Sequence, residues 1–539
     1  MSLPDGVIRE RTRQYGITDD PFVGLAGSFQ YAENLNVFDD PRGIKLTTGW
    51  SSNSSYKSCK FVSAGDYILA IPDSWDVKRI SAWGWSSTSI WNIPNSMTPW
   101  DAVVFGDALF VIGTKSNSFI GITSYKITAQ DVHNIIPTDN TWDNLIIMWN
   151  QNPTLWEITP PYCDCICNFN NSMLLVGNGN YLRAYNPAED QSSIYASWWK
   201  VVKKYTGNVD IIDIAPKADY VEIFLRDNVW NTKIHYYPWI FDMEDSGLMK
   251  SVELPNVRIN RVYPHMTKEM ILTTYDGSNN NVSLREVVWY ETYPVMRSHR
   301  AGLSSYDVQH KLGFFTWPCS EDMAFYEGRA YIADVEWIWE FNWYNPNKMP
   351  VGNLRWKFNN ESDNRTPRWL AVAKDYIYVS YDDYAYFARI YDTANPNWYA
   401  SKWTLVSRAI ETEYGGEFTK ELVKWMVQFE MNNLTTWNGK IDIYACWNRE
   451  RNSLDDTAWK HIARITQSDA DFWSASSGWW YSVWTCVHRF DNGWDYTFMQ
   501  DRQVIEYKVV ITRWTEDDAS PVLRSLLFDY RIKEKTNYF

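Results

Sequence analysis

Along most of the chain, apolar runs of four to seven residues come in pairs separated by a short polar turn. The turn and the second strand read GDYILAI from Gly65, GDALFVI from Gly106, NSMLLVG from Asn171, ADYVEIF from Ala218, KEMILTT from Lys268, GRAYIAD from Gly328 and KDYIYVS from Lys374. The strand before the turn is visible as KFVSA, AVVF, CDCICNF, DIIDIAP, MAFYE and WLAVA, which alternate or run apolar as strands do. The fifth unit, INRVYPHM, is blurred. An aromatic third strand often follows, as in YLRAYNP, TKIHYYPW and WIWEFNWYNP, so each unit predicts a meander of three or four antiparallel strands.

Counted from the third residue of each turn motif, the spacings are 41, 65, 47, 50, 60 and 46 residues. Repeats of about 40 to 50 residues, each one small antiparallel sheet, predict a β-propeller. Here it is irregular, about seven-bladed, and spans residues 61–402. No long stretch carries helical periodicity. Past Trp403 the strands become longer and evenly spaced, from SRAIETEY through LVKWMVQFEM, KIDIYACWN, WKHIARIT, WWYSVWTCVHRF and RQVIEYKVVITRW to VLRSLLFDYRI. Seven such strands predict a β-sandwich over 403–539. Residues 1–60 read as a polar arm followed by FQYAENLNVFDDPRGIKLTTGW, in which GIKLTTG is expected to close the ring of blades. The arm is expected to be free to reach a neighbouring subunit. The expected fold class is therefore all-β.

Totals narrow the function classes. A length of 539 residues exceeds what one hydrophobic core fills, and 17% aromatic residues with 22% charged ones fit a globular chain. A net charge of −14 argues against a surface that grips phosphates, so nucleic acid is expected to pass without sticking. The seven cysteines are too scattered for a disulfide framework, so free thiols are expected. The start, MSLPDGVIRERTRQYG, lacks the apolar run of a signal peptide, and no segment approaches 18 apolar residues in a row. Synthesis in the host cytoplasm without a membrane span is the expectation.

Candidate chemistry is sparse. Cys163, Cys165 and Cys167 alternate on one strand, which would set the thiols in a row rather than around a tetrahedral metal. None of the seven histidines falls in a His-x-His or His-Glu-x-x-His pattern, and GNGN at Gly177 reads as a turn rather than a phosphate loop. Asp210, Asp213, Asp334, Glu336, Asp382 and Asp383 are the carboxylates a propeller glycosidase would converge on its axis, but solvated faces account for them in a chain with 65 acidic residues. YDGSNNNVS at Tyr275 and SYDDYAY at Ser380 offer oxygen ligands without EF-hand spacing, so turn chemistry is preferred to calcium. No catalytic residue, metal or cofactor is expected.

The 32 tryptophans divide between blade packing, as for Trp337, Trp339 and Trp343, and interfaces. Trp479, Trp480 and Trp484 are the candidate interface or glycan-contact residues. Neighbours in sequence point to opposite faces of a strand, so Trp479 and Trp480 cannot share one platform. A neighbouring subunit is the first choice to cover them.

The order of parts, an arm, YAENLNVFDDPRGIKLTTGW, a degenerate propeller and a sandwich ending SPVLRSLLFDYRI, resembles propeller-bearing virion structural proteins of tailed bacteriophages, the tail hub, nozzle and DNA-stabilisation proteins. Ala32, Asn34, Arg42, Gly43 and Lys45 stand where that family carries Tyr/Ala-x-Asn near a Gly before a basic-apolar run, and Ser520 to Val522 match its closing Ser-Pro-Val. The resemblance implies a non-enzymatic virion component. It would form a homo-oligomeric ring in the tail or at the head-to-tail junction, with itself and other virion proteins as partners and DNA in the channel. The second expectation is a glycan-binding receptor-recognition protein, and the third a propeller glycoside hydrolase.

Overall fold

The computed structural model describes residues 5–10, 29–36, 44–72, 74, 76–81, 84–93, 98–106, 108–115, 119–126, 131–132, 146–147, 163–169, 173–185, 199–217, 220–227, 231–238, 248, 250–254, 257–263, 269–275, 282–288, 291–297, 320–335, 337–342, 351–357, 365–391, 402–407, 410–411, 418–430, 439–447, 459–466, 473–474, 483–489, 504–513 and 522–535. The protein is all-β: among these residues the helical turn Ser54–Tyr56 is the sole exception to strands, turns and connections. No helix there is long and apolar enough to cross a membrane.

Seven antiparallel sheets follow one another along the chain, numbered 1 to 7 here. Their first strands are Lys60–Ala64, Thr98–Phe105, Cys163–Phe169, Val209–Pro216, Val257–Tyr263, Ala324–Tyr326 and Pro367–Ala373. Two-residue turns set the first register in several of them. Ala64 joins Tyr67 across Gly65, at φ 68°, and Ala373 joins Tyr376 across Lys374, at φ 53°. Such turns need a left-handed residue to match the twist of the strands they connect.

Apolar side chains fill the seams between successive sheets. Ile71 and Val77 of sheet 1 meet Leu109 and Val111 of sheet 2, Phe169 and Leu175 of sheet 3 meet Ile211 and Ile223 of sheet 4, and Ala215 and Phe224 of sheet 4 meet Ile259 and Ile271 of sheet 5. Tyr331 and Trp356 of sheet 6 pack with Leu370 and Val379 of sheet 7, while Tyr378 and Phe387 of sheet 7 return to Phe61 and Ile68 of sheet 1. Both faces of a sheet are covered in this arrangement, which is why the strands read as apolar runs. Each buried Leu, Ile or Phe stabilises it by about 1.5–3 kcal/mol.

The N-terminal residues depart from expectation. GIKLTTG does not join sheet 7. Lys45–Leu46 forms a small hairpin with Leu35–Asn36, and Ile44 bridges to Leu523. The fourth strand of sheet 7 is the next segment, Trp50–Asn53, which pairs with Ala385–Arg389. Nor are the described residues of the arm free. Asp5–Glu10 pairs with Val522–Lys535 at the edge of one C-terminal sheet, and Phe29–Glu33 pairs with Lys402–Ser407 at the edge of the other. That second sheet buries Tyr507, Val509 and Ile511 with Ile441, Ile443 and Ala445. On the alternate positions Asp442 receives Arg464 Nε at 2.7 Å and lies 3.0 Å from His461 Nε2, and the Lys508 ammonium sits 4.7 Å from the Tyr444 ring centre.

A buried polar network ties sheet 6 to its surroundings. Glu340, 0% exposed, accepts from Arg329 Nη1 at 2.9 Å and Tyr331 Oη at 3.0 Å, with Arg355 Nη1 at 3.4 Å. Arg355 Nη2 donates to the Ile390 carbonyl of the sheet 7 side at 2.6 Å. Asn353 Nδ2 and Trp356 Nε1 donate to the carbonyls of Leu35 (2.8 Å) and Thr48 (3.1 Å), so the N-terminal hairpin caps this sheet.

Candidate functional site

The first strands of all seven sheets line one cavity of about 700 Å³. Five of these strands carry a register shift, and the residue that resumes pairing is Asp101, Cys165, Asp213, Arg261 or Leu370. A bulge shifts the alternation and re-aims the side chain that follows. Here it places charged residues of otherwise apolar strands on the cavity wall.

Lys60 is the hub. It is 3% exposed, and its ammonium pairs with Asp101 of sheet 2, lies 3.4 Å from Asp322 Oδ2 just before the first strand of sheet 6, and sits 3.7 Å over the Trp369 ring of sheet 7. Burial works against the ammonium, but Asp101 and Asp322 outweigh it and its pKa is raised. Asp101 also accepts from the backbone N–H of Ala102 at 2.7 Å and of Ile166 at 2.9 Å, which links sheets 2 and 3. Between sheets 5 and 6, Arg261 Nη2 lies 3.6 Å from Glu321 Oε1, and Tyr263 donates to the Ser320 carbonyl at 2.8 Å.

Burial raises the Glu321 carboxyl against the opposing pull of Arg261 and Lys60, and it raises Asp322 against Lys60. Asp213 is pushed well above the usual carboxylate range, by burial first and then by the charges of Asp101 and Asp322, with the Ile214 N–H opposing at 2.8 Å. Cys167 is likewise pushed well up, by burial and then by Asp213 and Asp101. Its thiol is therefore not an activated nucleophile.

Of the six expected carboxylates, Asp213 lines the cavity, whereas Asp210, Asp334, Asp382 and Asp383 do not. Asp334 is fully buried and accepts from Trp339 Nε1 at 2.9 Å, and Asp210 is exposed. Asp382 and Asp383 accept from the backbone of Thr366 and Tyr384, as turn carboxylates do, while Glu336 lies outside the described residues. The cysteine row is interrupted by the bulge between Cys163 and Cys165: Cys165 is buried in the seam between sheets 3 and 4, and Cys167 is half-buried. Gly177 is in a strand rather than a turn, where an added Cβ would meet Cys165 Sγ at 2.7 Å and Ile211 Cγ2 at 2.8 Å.

Among the candidate aromatic contacts, Trp484 lies on Val483–Arg489, opposite Phe429 on one side and Ser474 on the other. Trp479 and Trp480 lie outside the described residues, as do residues 276–281 of the first calcium candidate and Trp343. Lys60, Asp101, Arg261, Glu321 and Asp322 were not singled out by sequence. The signal that could have found them is a charged residue inside an apolar first strand, as in KFVSA and WDAVVF. A comparison of the sequence with protein-family models and with curated proteins finds no match.

Proposed function

We propose that this protein is a structural component of a tailed-phage virion, built as a seven-bladed β-propeller whose last blade is closed by Trp50–Asn53, followed by a β-sandwich of the two C-terminal sheets. In the particle it forms a homo-oligomeric ring in the tail or at the head-to-tail junction, contacting its own copies and other virion proteins. A net charge of −14 lets DNA pass the channel without binding.

The observation that carries this reading is the path of the first 53 residues. One segment supplies an edge strand to each C-terminal sheet, the fourth strand of sheet 7 and a hairpin over sheet 6. A single stretch of chain thus fastens the parts to one another, which suits a load-bearing spacer. The charged cluster in the cavity adds to this, since Lys60 links sheets 1, 2, 6 and 7.

The test is mass measurement by light scattering on the purified protein, together with its detection by mass spectrometry in purified virions of the phage that encodes it. A closed oligomer present at fixed copy number supports the reading. A monomer absent from the particle sinks it.

A further inference from the structure

Asp213 differs from the other carboxyls around the cavity. Asp101 and Asp322 share Lys60, and Glu321 faces Arg261. Asp213 has no ion pair among the described residues, and its side chain takes one hydrogen bond, from the neighbouring Ile214 N–H. Four carboxyls against two cationic side chains leave two negative charges uncompensated when all are ionised. Arg368, which also acts on Glu321, is exposed. Low-dielectric walls strengthen the field of such an excess.

The chain itself shows what these walls accept. The Lys60 ammonium is seated against two carboxylates and the face of an indole, the combination that stabilises a desolvated ammonium. A volume of about 700 Å³ falls within the range of small-molecule sites. No three His, Cys, Asp or Glu side chains among the described residues converge as a compact metal site requires, which favours an extended organic cation over a bare divalent ion.

We propose that the cavity binds a small organic cation of the primary-amine or polyamine class, with one ammonium placed at Asp213 and the chain of the ligand along the apolar strand surface. Seating the ammonium favours the carboxylate form of Asp213, and any proton that the carboxyl gives up goes to the buffer. The proposal does not rest on the assembly role, because its test reads ligand binding rather than oligomeric state.

Calorimetric titration of the intact protein with spermidine at pH 7 and about 0.15 M salt tests the proposal, run in two buffers of different ionisation enthalpy. The expected result is one saturable site per chain, weakened about tenfold or more in Asp213→Asn, with any proton release seen for the wild-type chain lost in the variant. The Asn side-chain oxygen can still accept from the Ile214 N–H, so the thermal midpoint of Asp213→Asn should not fall. The proposal is overturned by an absence of saturable heat, or by equal binding to Asp213→Asn. It is equally overturned by many weak sites that salt abolishes, which would be diffuse attraction to an acidic chain, or by saturation with Mg²⁺ but not spermidine, which would make this an inorganic cation site.

Discussion

The charges around Lys60 and those around Glu340 are both inside the protein, yet they are balanced in opposite directions. Glu340 is surrounded by Arg329, Arg355 and the Tyr331 hydroxyl, so cations are in excess, and Glu340 and Arg355 are fully buried. Around the cavity carboxyls are in excess, and Asp101 and Asp322 keep 21% and 42% of their side-chain surface. In the first set the protein takes both oxygens of the Glu340 carboxylate and both terminal nitrogens of Arg355, one of them through a backbone carbonyl, and beside it Asn353 Nδ2 likewise donates to a carbonyl. In the second, one carboxyl is left over against an open volume. A sealed network serves the fold, whereas an unbalanced one beside a cavity has capacity for something else.

If that contrast is right, the two sets respond differently to loss of one partner. The largest effect is expected for Glu340→Gln, which leaves two arginines without a counter-charge in a dry seam and should cost about 3–5 kcal/mol, read as the shift in denaturant midpoint. Replacing the pair with Glu340→Leu and Arg355→Leu together should recover much of that. A cost for Glu340→Gln below about 1 kcal/mol would show that water reaches the network and would break the comparison.

The seam between sheets 3 and 4, behind the cavity wall, is closely packed at Gly177, and Gly177→Ala tests it. A Cβ at 2.7 Å from Cys165 Sγ and 2.8 Å from Ile211 Cγ2 forces a shift, for about 1–3 kcal/mol. Gly177→Ala combined with Cys165→Ala should recover part of the loss, because the sulfur is gone while Ile211 remains. Next in size is Lys60→Met, which keeps an apolar stem near Trp369 but unpairs Asp101 and Asp322. Their access to water limits the cost to about 1–2 kcal/mol, well short of the Glu340 value. If Lys60→Met cost as much as Glu340→Gln, the cavity would be dry.

The strands are legible because their period of two survives in the sequence, and the seven turn motifs mark hairpins at nearly every first strand. The charged positions are not, and the reason differs between the two sets. In WIWEFNW, Glu340 alternates with apolar neighbours like a solvent-facing residue, but the N-terminal hairpin covers that sheet through contacts as distant in sequence as Asn353 to Leu35. Arg355 is the residue skipped between two registers of its strand pair, so alternation misplaces it. The same holds for the first strands: bulges beside Asp101, Cys165, Asp213 and Arg261 shift the face, and one of them is what blurs INRVYPHM. GIKLTTG reads as the closing strand because both it and Trp50–Asn53 are short and polar-flanked. Pairing choice between them is settled by partners more than 300 residues away, as Thr48 shows by meeting Arg389 and Trp356.

The smallest expected effect has the opposite sign and depends on pH. Below the ordinary carboxyl value of 3.8 Asp213 is protonated in both folded and unfolded chains and contributes nothing. As pH rises past that value the unfolded chain gives up the proton while the folded chain keeps it, held first by burial and then by Asp101 and Asp322. Folding therefore loses stability with rising pH through this group. Asp213→Asn should match the wild-type chain near pH 3.5 and exceed it by on the order of 1 kcal/mol at pH 7, measured as the difference in denaturant midpoints. Asp442 provides the internal contrast. Burial would raise it, but Arg464, His461 and Lys440 together hold it below 3.8, so Asp442→Asn should lose stability above that pH rather than gain it. Two aspartates inside the protein whose asparagine variants move apart with pH would separate a carboxyl that has its cations from one that lacks them. If both variants moved the same way, Asp213 would already have a counter-charge, and the cavity would have no unfilled position for a ligand's ammonium.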